Sequence, residues 1–427
     1  MWIKSKFIYL VILVLLVVPL YPKFPLVGVS GTFVAIRLED ILIAVTVIIW
    51  AVVHFRDWRQ VVGQPVTRAI LLYWAVGAVA IFGAIFVTKT ADWQQGLLHY
   101  FRRIEYMSLF MVAYSALETK VHLALVTKVL VVVAAIVALY GIGQLLLNFP
   151  VISTNNSEFS KGLALTLGPG ARINSTFAGH YDLAAYSLFP ILLIVGLATL
   201  PGRNKLVLGV IGALTYWAML LSASRVTFAA VVLTVSLFLW YLRKKTWLLA
   251  WLVIAAASIW LSPQLAGRYK ELIVNQFLTF ASPVSAQVDT VVPDALKAPA
   301  QPEDRSFNIR LKVEWPRAIR SMLHNPIVGT GYSSVGLAVD NDYLRSLAET
   351  GILGTLALVL VFGRVFKALW VKNNSQTTLS FIFSQAVMWG LVGLLVNAVF
   401  IDVFEASKVA IITWTLLGLA TRAKSIA

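Results

Sequence analysis

The chain has 427 residues, no cysteine, and 59% hydrophobic against 13% charged residues. Soluble globular proteins carry roughly 25% charged residues, and the mean hydropathy of +0.83 points the same way. A soluble enzyme, a disordered chain and a disulfide-stapled secreted domain are thereby excluded; what remains is an all-α integral membrane protein. Twelve spans of ~20 residues would use about 240 residues, leaving room for loops and one modest extramembrane segment. The absence of cysteine removes thiol nucleophiles and iron–sulfur ligation. Five histidines without HxxxH or HxxE spacing argue against a protein-built zinc site.

Apolar runs bounded by charge or turn residues fall, in chain order, at about 7–22, 37–54, 69–87, 97–117, 121–147, 181–200, 205–221, 226–242, 246–262, 343–363, 379–400 and 404–420. Each predicts a helix, giving about 12 transmembrane helices. The first run follows Lys4 and Lys6 as in a signal peptide, but no small-x-small cleavage site follows. It is read as a retained span. The run at 97–117 is the most polar, with Arg102, Arg103 and Glu105 near its start. No fixed-period repeat is visible. Arg102 and Glu105, like Glu405 and Lys408, stand three residues apart and predict ion pairs along their helices. Gly351 and Gly354 predict close helix packing rather than phosphate binding.

Lysine and arginine bias in the short loops sets the orientation. With the amino terminus in the cytoplasm, the cytoplasmic face collects 17 basic residues against Asp57 and Glu118 alone. The other face holds 18 basic and 17 acidic residues. Nearly all of the +16 net charge is thus cytoplasmic, which assigns it to topology and anionic membrane lipids rather than to nucleic acid. Both termini are expected in the cytoplasm.

Two segments on the outer face are too long for simple connectors: 148–180 and about 263–342. The second divides the chain into 1–262 (spans one to nine), 263–342 (an extracytoplasmic loop) and 343–427 (spans ten to twelve). Within it, 281–304 is rich in Pro, Ala and small polar residues, the composition of a flexible tether. Residues 305–323 mix five basic residues with Phe307, Ile309, Leu311, Val313, Trp315, Ile319 and Met322. Pro316 predicts a break, hence two short interfacial helices.

Three arginines stand out by position. Arg172 lies in GPGARINSTFAGH before the sixth span, Arg225 in SASRVTF at the outer end of the eighth, and Arg310 in the amphipathic part of the long loop. Outer-face arginines beside helix ends run against the positive-inside tendency. Each alone is explained by a lipid phosphate or an ion pair with an outer acid. All three around one cavity would favour a polyphosphate, because guanidinium forks match phosphate oxygens and keep their charge.

These residues resemble a family. Arg225 in its S-x-S-R setting is similar to the arginine motif of the bacterial O-antigen ligase and O-antigen polymerase superfamily. R-x-x-S-T-F from Arg172 to Phe177, followed by Leu183, Ala184 and Tyr186, resembles the segment before the next span. Arg310, Trp315, His324, Asn325, Pro326, Gly329 and Gly331 are similar to its R…W…hP-x-x-G-x-G signature, and Asp340 to Gly354 to its H-N-x-x-L…E-x-G-x-x-G segment. The motifs cover about 172–354.

The resemblance implies a membrane glycosyltransferase-type helical bundle in the bacterial inner membrane. It also implies transfer of a glycan from an undecaprenyl-pyrophosphate carrier to a glycan or lipid-sugar acceptor on the outer face, in lipopolysaccharide or other polysaccharide biosynthesis. The resemblance implies no nucleotide sugar, no metal and no other cofactor. Arg172, Arg225 and Arg310 would hold the pyrophosphate.

The chain departs from the family at position 340, where the ligases carry histidine and this sequence has Asp340. A desolvated aspartate can serve as general base, but Asp340 also reads as the N-cap of the tenth span. His180, eight residues from Arg172 and beside Asp182, is the other candidate base; it also reads as an interfacial histidine, with Asp182 a helix cap. A secondary transporter or flippase of a lipid-linked or anionic substrate is the alternative. Its ionisable groups would sit near the bilayer midplane, whereas here the unusual charges gather at one rim. A non-catalytic scaffold would not require arginines in three separate outer segments.

Overall fold

A computed structural model of the chain describes residues 6–29, 35–152, 164–165, 167, 171–261, 309–336, 339–371 and 378–426. The predicted tether 281–304 and the first residues of the predicted interfacial segment lie outside the described residues. In chain order the helices are α1 Ile8–Leu20, α2 Leu38–His54, α3 Trp58–Gly63, α4 Pro65–Phe82, α5 Trp93–Ala116, α6 Lys120–Leu146 and α7 His180–Ala198. They continue with α8 Lys205–Leu221, α9 Arg225–Tyr241, α10 Lys245–Leu261, α11 Trp315–His324, α12 Asp342–Leu369, α13 Leu379–Asn397 and α14 Ser407–Ser425. Two antiparallel pairs of very short strands, Pro25–Gly28 with Ala35–Arg37 and Val151–Ile152 with Ala164–Leu165, decorate the loops.

Each of the twelve apolar runs holds a helix. Six stretches are long and apolar enough to cross a membrane: Leu38–Gly63, Pro65–Val87, Lys120–Leu146, His180–Ala198, Asp342–Leu369 and Leu379–Asn397. Helices α1, α8, α9 and α10 are apolar but shorter. Helix α5 carries Arg102, Arg103 and Glu105, and α14 carries Lys408, Arg422 and Lys424, which lowers their apolarity. The fold is that of an all-α membrane protein.

Helices α7, α13 and α14 form the centre, with buried side chains around most of their circumference. Helix α14 lies along α5, α12 along α4, and α13 against α7 and α9. Gly390 and Gly393 give way to Phe189 and Leu188 of α7, the small-residue approach that lipid-embedded helices use. Successive helices alternate in direction, so their ends gather at two faces of the bundle. At one, Asp342 N donates to Ala398 O at 2.9 Å and Ser407 Oγ to Glu39 Oε1 at 3.2 Å. At the other, Arg422 Nε donates to Leu117 O at 3.1 Å and Lys424 Nζ to Trp370 O at 3.0 Å. The loops of this second face carry the basic residues that the charge count grouped together.

Several local expectations are corrected. Pro316 does not split its segment. A π turn, Arg310–Glu314, runs directly into α11, and Pro316 follows immediately on that wider turn, which is where the segment accommodates the backbone bond that proline cannot donate. One continuous helical segment results, with Ile309, Val313, Ile319 and Leu323 exposed and Ala318 packed over Val335, Val339 and Ala348. The i,i+3 ion pairs give way to contacts between helices. Arg102 lies 3.7 Å from Asp40, Arg103 pairs with Glu405, and Lys408 donates to the carbonyls of Tyr21 and Thr176 at 2.7 and 2.8 Å.

Gly351 is a helix break rather than a packing notch. Its φ of 64° and ψ of −169° interrupt α12, and the Asn325–Gly331 loop supplies the hydrogen bonds lost there. Thr330 N and Gly331 N donate to Ala348 O and Glu349 O, while Ile352 N and Leu353 N donate to Pro326 O and Ile327 O, all at 2.8–3.1 Å. A Cβ on Gly351 would meet the Ile327 carbonyl, and one on Gly329 would lie 2.5 Å from the Glu349 carbonyl. Gly351→Ala is therefore expected to cost at least about 1–3 kcal/mol, the strain of a glycine-only conformation, read as a lowered unfolding midpoint in detergent. Gly363→Ala, with open space around its Cβ, is expected to be neutral or slightly stabilising.

Candidate functional site

Arg172 sits on an irregular stretch that is fixed from three directions. Gln144 of α6 clasps Ser175 through both backbone groups, at 2.9 and 2.8 Å, and Ser175 Oγ donates to Val137 O at 2.7 Å. The Thr176 hydroxyl donates to Pro19 O at the end of α1, and Lys408 of α14 holds the Thr176 carbonyl. The R-x-x-S-T-F sequence is thus a pinned loop leading into α7. His180 opens that helix with its Nε2 2.7 Å from Arg172 Nη1. A guanidinium only donates, so this imidazole nitrogen accepts and the ring proton lies on Nδ1. Gly179, not Asp182, occupies the N-cap, and Asp182 lies near Lys23 and Lys408.

Arg310 reaches the same place from the long loop. Its buried guanidinium donates from Nε and Nη2 to Asp340 Oδ2 at 2.9 and 2.7 Å and lies over the Tyr181 ring, 5.9 Å from its centroid. Tyr181 neighbours His180, and the Arg310 charge is felt at the imidazole. Arg172, His180, Arg310 and Asp340 therefore come together from segments far apart in sequence.

Asp340 is not the helix cap. Asn341 is, accepting from Leu344 N at 2.9 Å. Asp340 stands one residue earlier with a φ of 50°, a left-handed conformation that aspartate tolerates. Asp402, on the loop before α14, holds it there. Its carboxylate accepts the backbone N–H groups of Val339 and Asp340, both at 3.2 Å, and of Asn341 at 3.0 Å. Arg345 Nη2 donates to the same carboxylate at 2.7 Å, and Nη1 to Glu349 at 3.1 Å. The two loop carboxyls consequently diverge. The Arg345 guanidinium and the ring of N–H donors hold Asp402 below the ordinary carboxylate range despite its burial. Burial, aided by the Asp402 charge, pushes Asp340 up and outweighs the opposing effect of Arg310. Glu314, one turn beyond Arg310, is likewise raised by burial and by Asp340, and its Oε2 is buried with no partner among the described residues.

Arg225 begins α9 at the same end of the bundle, half-buried behind the Ser224 N-cap. Thr227 Oγ1 donates to Asn397 Oδ1 at 2.8 Å, and Ala398, the next residue, accepts from Asp342 N. That chain of contacts ties the start of α9 to the base of the Asp340 turn. Four of the five sequence candidates thus meet directly, with Arg225 on the adjoining helix end. Arg345, Asp402 and Glu314 were not singled out from sequence. Arg345 and Glu349, four apart on one apolar helix, were the available signal.

A bundle of apolar helices with arginines and carboxylates drawn together at one end, away from the basic loops, defines a membrane protein with a polar site at its rim. The family model for O-antigen ligase matches residues 208–359, a stretch containing Arg225, Arg310 and Asp340. That match, over about a third of the chain, supports the O-antigen ligase/polymerase superfamily, whose members are glycosyltransferase-like ligases and polymerases of polysaccharide biosynthesis. No curated protein matches the chain.

Proposed function

We propose that this enzyme transfers a glycan from an undecaprenyl-pyrophosphate carrier to an acceptor-sugar hydroxyl at the extracytoplasmic face of the bacterial inner membrane, without a metal. The observation that carries the reading is the meeting of Arg172 and Arg310 around His180, Tyr181 and Asp340. The acceptor oxygen forms a bond to the anomeric carbon as the bond to the pyrophosphate oxygen breaks. Asp340 takes the hydroxyl proton. Arg310 and Arg172, with Arg225 from the adjoining helix, hold the pyrophosphate, whose negative charge grows as it leaves. Preorganised cations aimed at developing charge are the largest catalytic contribution such a site offers. His180 orients Arg172 in this arrangement; with Nε2 engaged, it is the weaker candidate for the base.

The test is release of undecaprenyl pyrophosphate from a lipid-linked oligosaccharide by purified protein in vesicles, with and without acceptor. Release that does not depend on acceptor, or transport of intact donor across the vesicle, would overturn the reading. Sidedness follows from the charge distribution: the twelve helices of the apolar runs span, 1–262 and 343–427 form the bundle, and 263–342 faces outward with both termini inside. Gln301→Cys in this cysteine-free chain is expected to react with an impermeant maleimide on intact spheroplasts. Labelling only after membrane disruption would reverse the orientation.

The Asp340 assignment carries a pH dependence. A base must be ionised, so activity is present above its pKa and lost as pH falls through it. With the Asp340 carboxyl raised, the acid limb of kcat/KM is expected at a higher pH than an ordinary aspartate would give. Asp340→Asn should abolish that limb together with most of the turnover. An unchanged limb in Asp340→Asn would transfer the role to another group, with Glu314, a raised carboxyl one turn beyond Arg310, the next candidate.

A further inference from the structure

At the basic end of the bundle, opposite the polar site, helices α8 and α10 diverge and leave a crevice of about 630 Å³ between them. Its walls are aliphatic and aromatic, from Ile194 and Val195 of α7, Leu239 of α9, and Trp247 and Ile254 of α10. The α8 wall is unusually bare, formed by Gly209, Gly212 and Ala213. A Cβ built on Gly209 would meet nothing within 4 Å. Toward the middle of the bundle the crevice is closed by Tyr216, which stacks edge-on against Trp251 at 5.3 Å and donates to Ser258 Oγ at 3.0 Å. Helix α10 packs chiefly on α9, so that closure is its principal tie to α8.

Such a space inside a membrane holds neither water nor vacuum. Its lining offers almost no polar partner to a water molecule, and an empty apolar gap forfeits dispersion contacts on every wall. Hydrocarbon is the occupant the chemistry selects. The rim selects the rest of the molecule. Leu208 and Gly209 lie one turn beyond Lys205, and Trp247 two residues beyond Lys245. Arg203, Lys205, Arg243 and Lys245 are exposed on the two turns that flank the mouth, and neither turn contains an acidic residue.

We propose that this crevice binds one anionic phospholipid of the leaflet at the basic end, with an acyl chain wedged between α8 and α10 and the phosphate at the Arg203–Lys205 and Arg243–Lys245 turns. The lipid fills the space that the small residues of α8 leave open and ties α10 to the bundle. It is separate from any donor or acceptor at the opposite end.

Native mass spectrometry of the full chain, released from detergent with defined lipids added, tests this directly. Wild-type protein is expected to retain a single phosphatidylglycerol, preferred about tenfold or more over phosphatidylcholine of the same chains, because each nearby Lys or Arg favours anionic lipid. Gly209→Leu and, independently, Ala213→Leu fill the crevice from exposed positions and should remove the tightly held lipid. Replacing Arg203, Lys205, Arg243 and Lys245 together by Gln should abolish the preference while leaving a weakly held lipid of either headgroup. Equal retention of the two lipids by wild type would overturn the headgroup assignment, and undiminished retention in both filled variants would overturn the crevice. Neither readout depends on glycan transfer. An intact lipid site in an inactive enzyme, or the converse, separates this proposal from the catalytic one.

Discussion

Replacing Arg310 by alanine in well-inserted protein is expected to lower turnover by about 10²–10³, the usual cost of deleting one preorganised donor at a developing oxyanion. Two effects combine there. The guanidinium is one of the charges proposed to hold the leaving pyrophosphate, and it also fixes the Asp340 carboxylate through Nε and Nη2. Lysine is expected to rescue poorly, since an ammonium is a single charge and cannot bond Asp340 and phosphate oxygens in one plane. Arg225→Lys should fail similarly if Arg225 grips the same group. The control is Arg59→Ala, an exposed arginine at the opposite end whose loss should leave turnover intact. The two functions of Arg310 are separable by pH. Loss of the guanidinium removes the cation that opposes the rise in the Asp340 pKa, so residual activity in Arg310→Ala should show its acid limb displaced upward. If Arg310→Lys transferred glycan at the wild-type rate with an unshifted pH profile, both proposed functions would fall. Arg310 would then be a structural partner of Asp340 alone.

What the sequence made legible was set by how far each signal reaches along the chain. Apolar runs announce helices because a span satisfies its own backbone hydrogen bonds, and all twelve runs contain one. The arginines at 172, 225 and 310 stood out because a cation beside a helix end, away from the basic loops, is unusual enough to need a reason. Pairings were not legible, because they are decided by tertiary packing. Spacing put Arg102 with Glu105 and Glu405 with Lys408, yet α5 meets α2 and the loop before α14, so Arg102 lies by Asp40 and Glu405 is taken by Arg103. Asp340 read as cap or base, with the cap slightly favoured. Only the arrival of Asp402, 62 residues later, shows why Asn341 caps the helix and Asp340 turns toward Arg310. Gly351 and Gly329 were visible as motif glycines, but not the exchange of backbone bonds that requires them.

Arg345→Met is expected to be the most destabilising single substitution near the site. The side chain is 2% exposed and joins Glu349, at 3.1 Å, to Asp402, at 2.7 Å. Removing one member of a buried ionic cluster leaves its partners desolvated and unpaired, which costs about 3–5 kcal/mol. Here the cost falls on two carboxylates, and one of them cannot relax by simply moving away, because Asp402 also accepts three consecutive backbone N–H groups. The unfolding midpoint in detergent should fall by about 3–6 °C. Neutralising a partner should repair only part of the loss. Arg345→Met with Glu349→Gln removes one orphaned charge and should recover some stability. Arg345→Met with Asp402→Leu should recover none, since leucine leaves the N–H groups of Val339, Asp340 and Asn341 without an acceptor. The 339–341 turn would then lose the conformation that points Asp340 at Arg310, so the Asp402→Leu variants should be inactive even where they remain folded. A midpoint for Arg345→Met within about 2 °C of wild type would mean that water reaches the cluster, and Asp402 would have to hold the turn without its arginine.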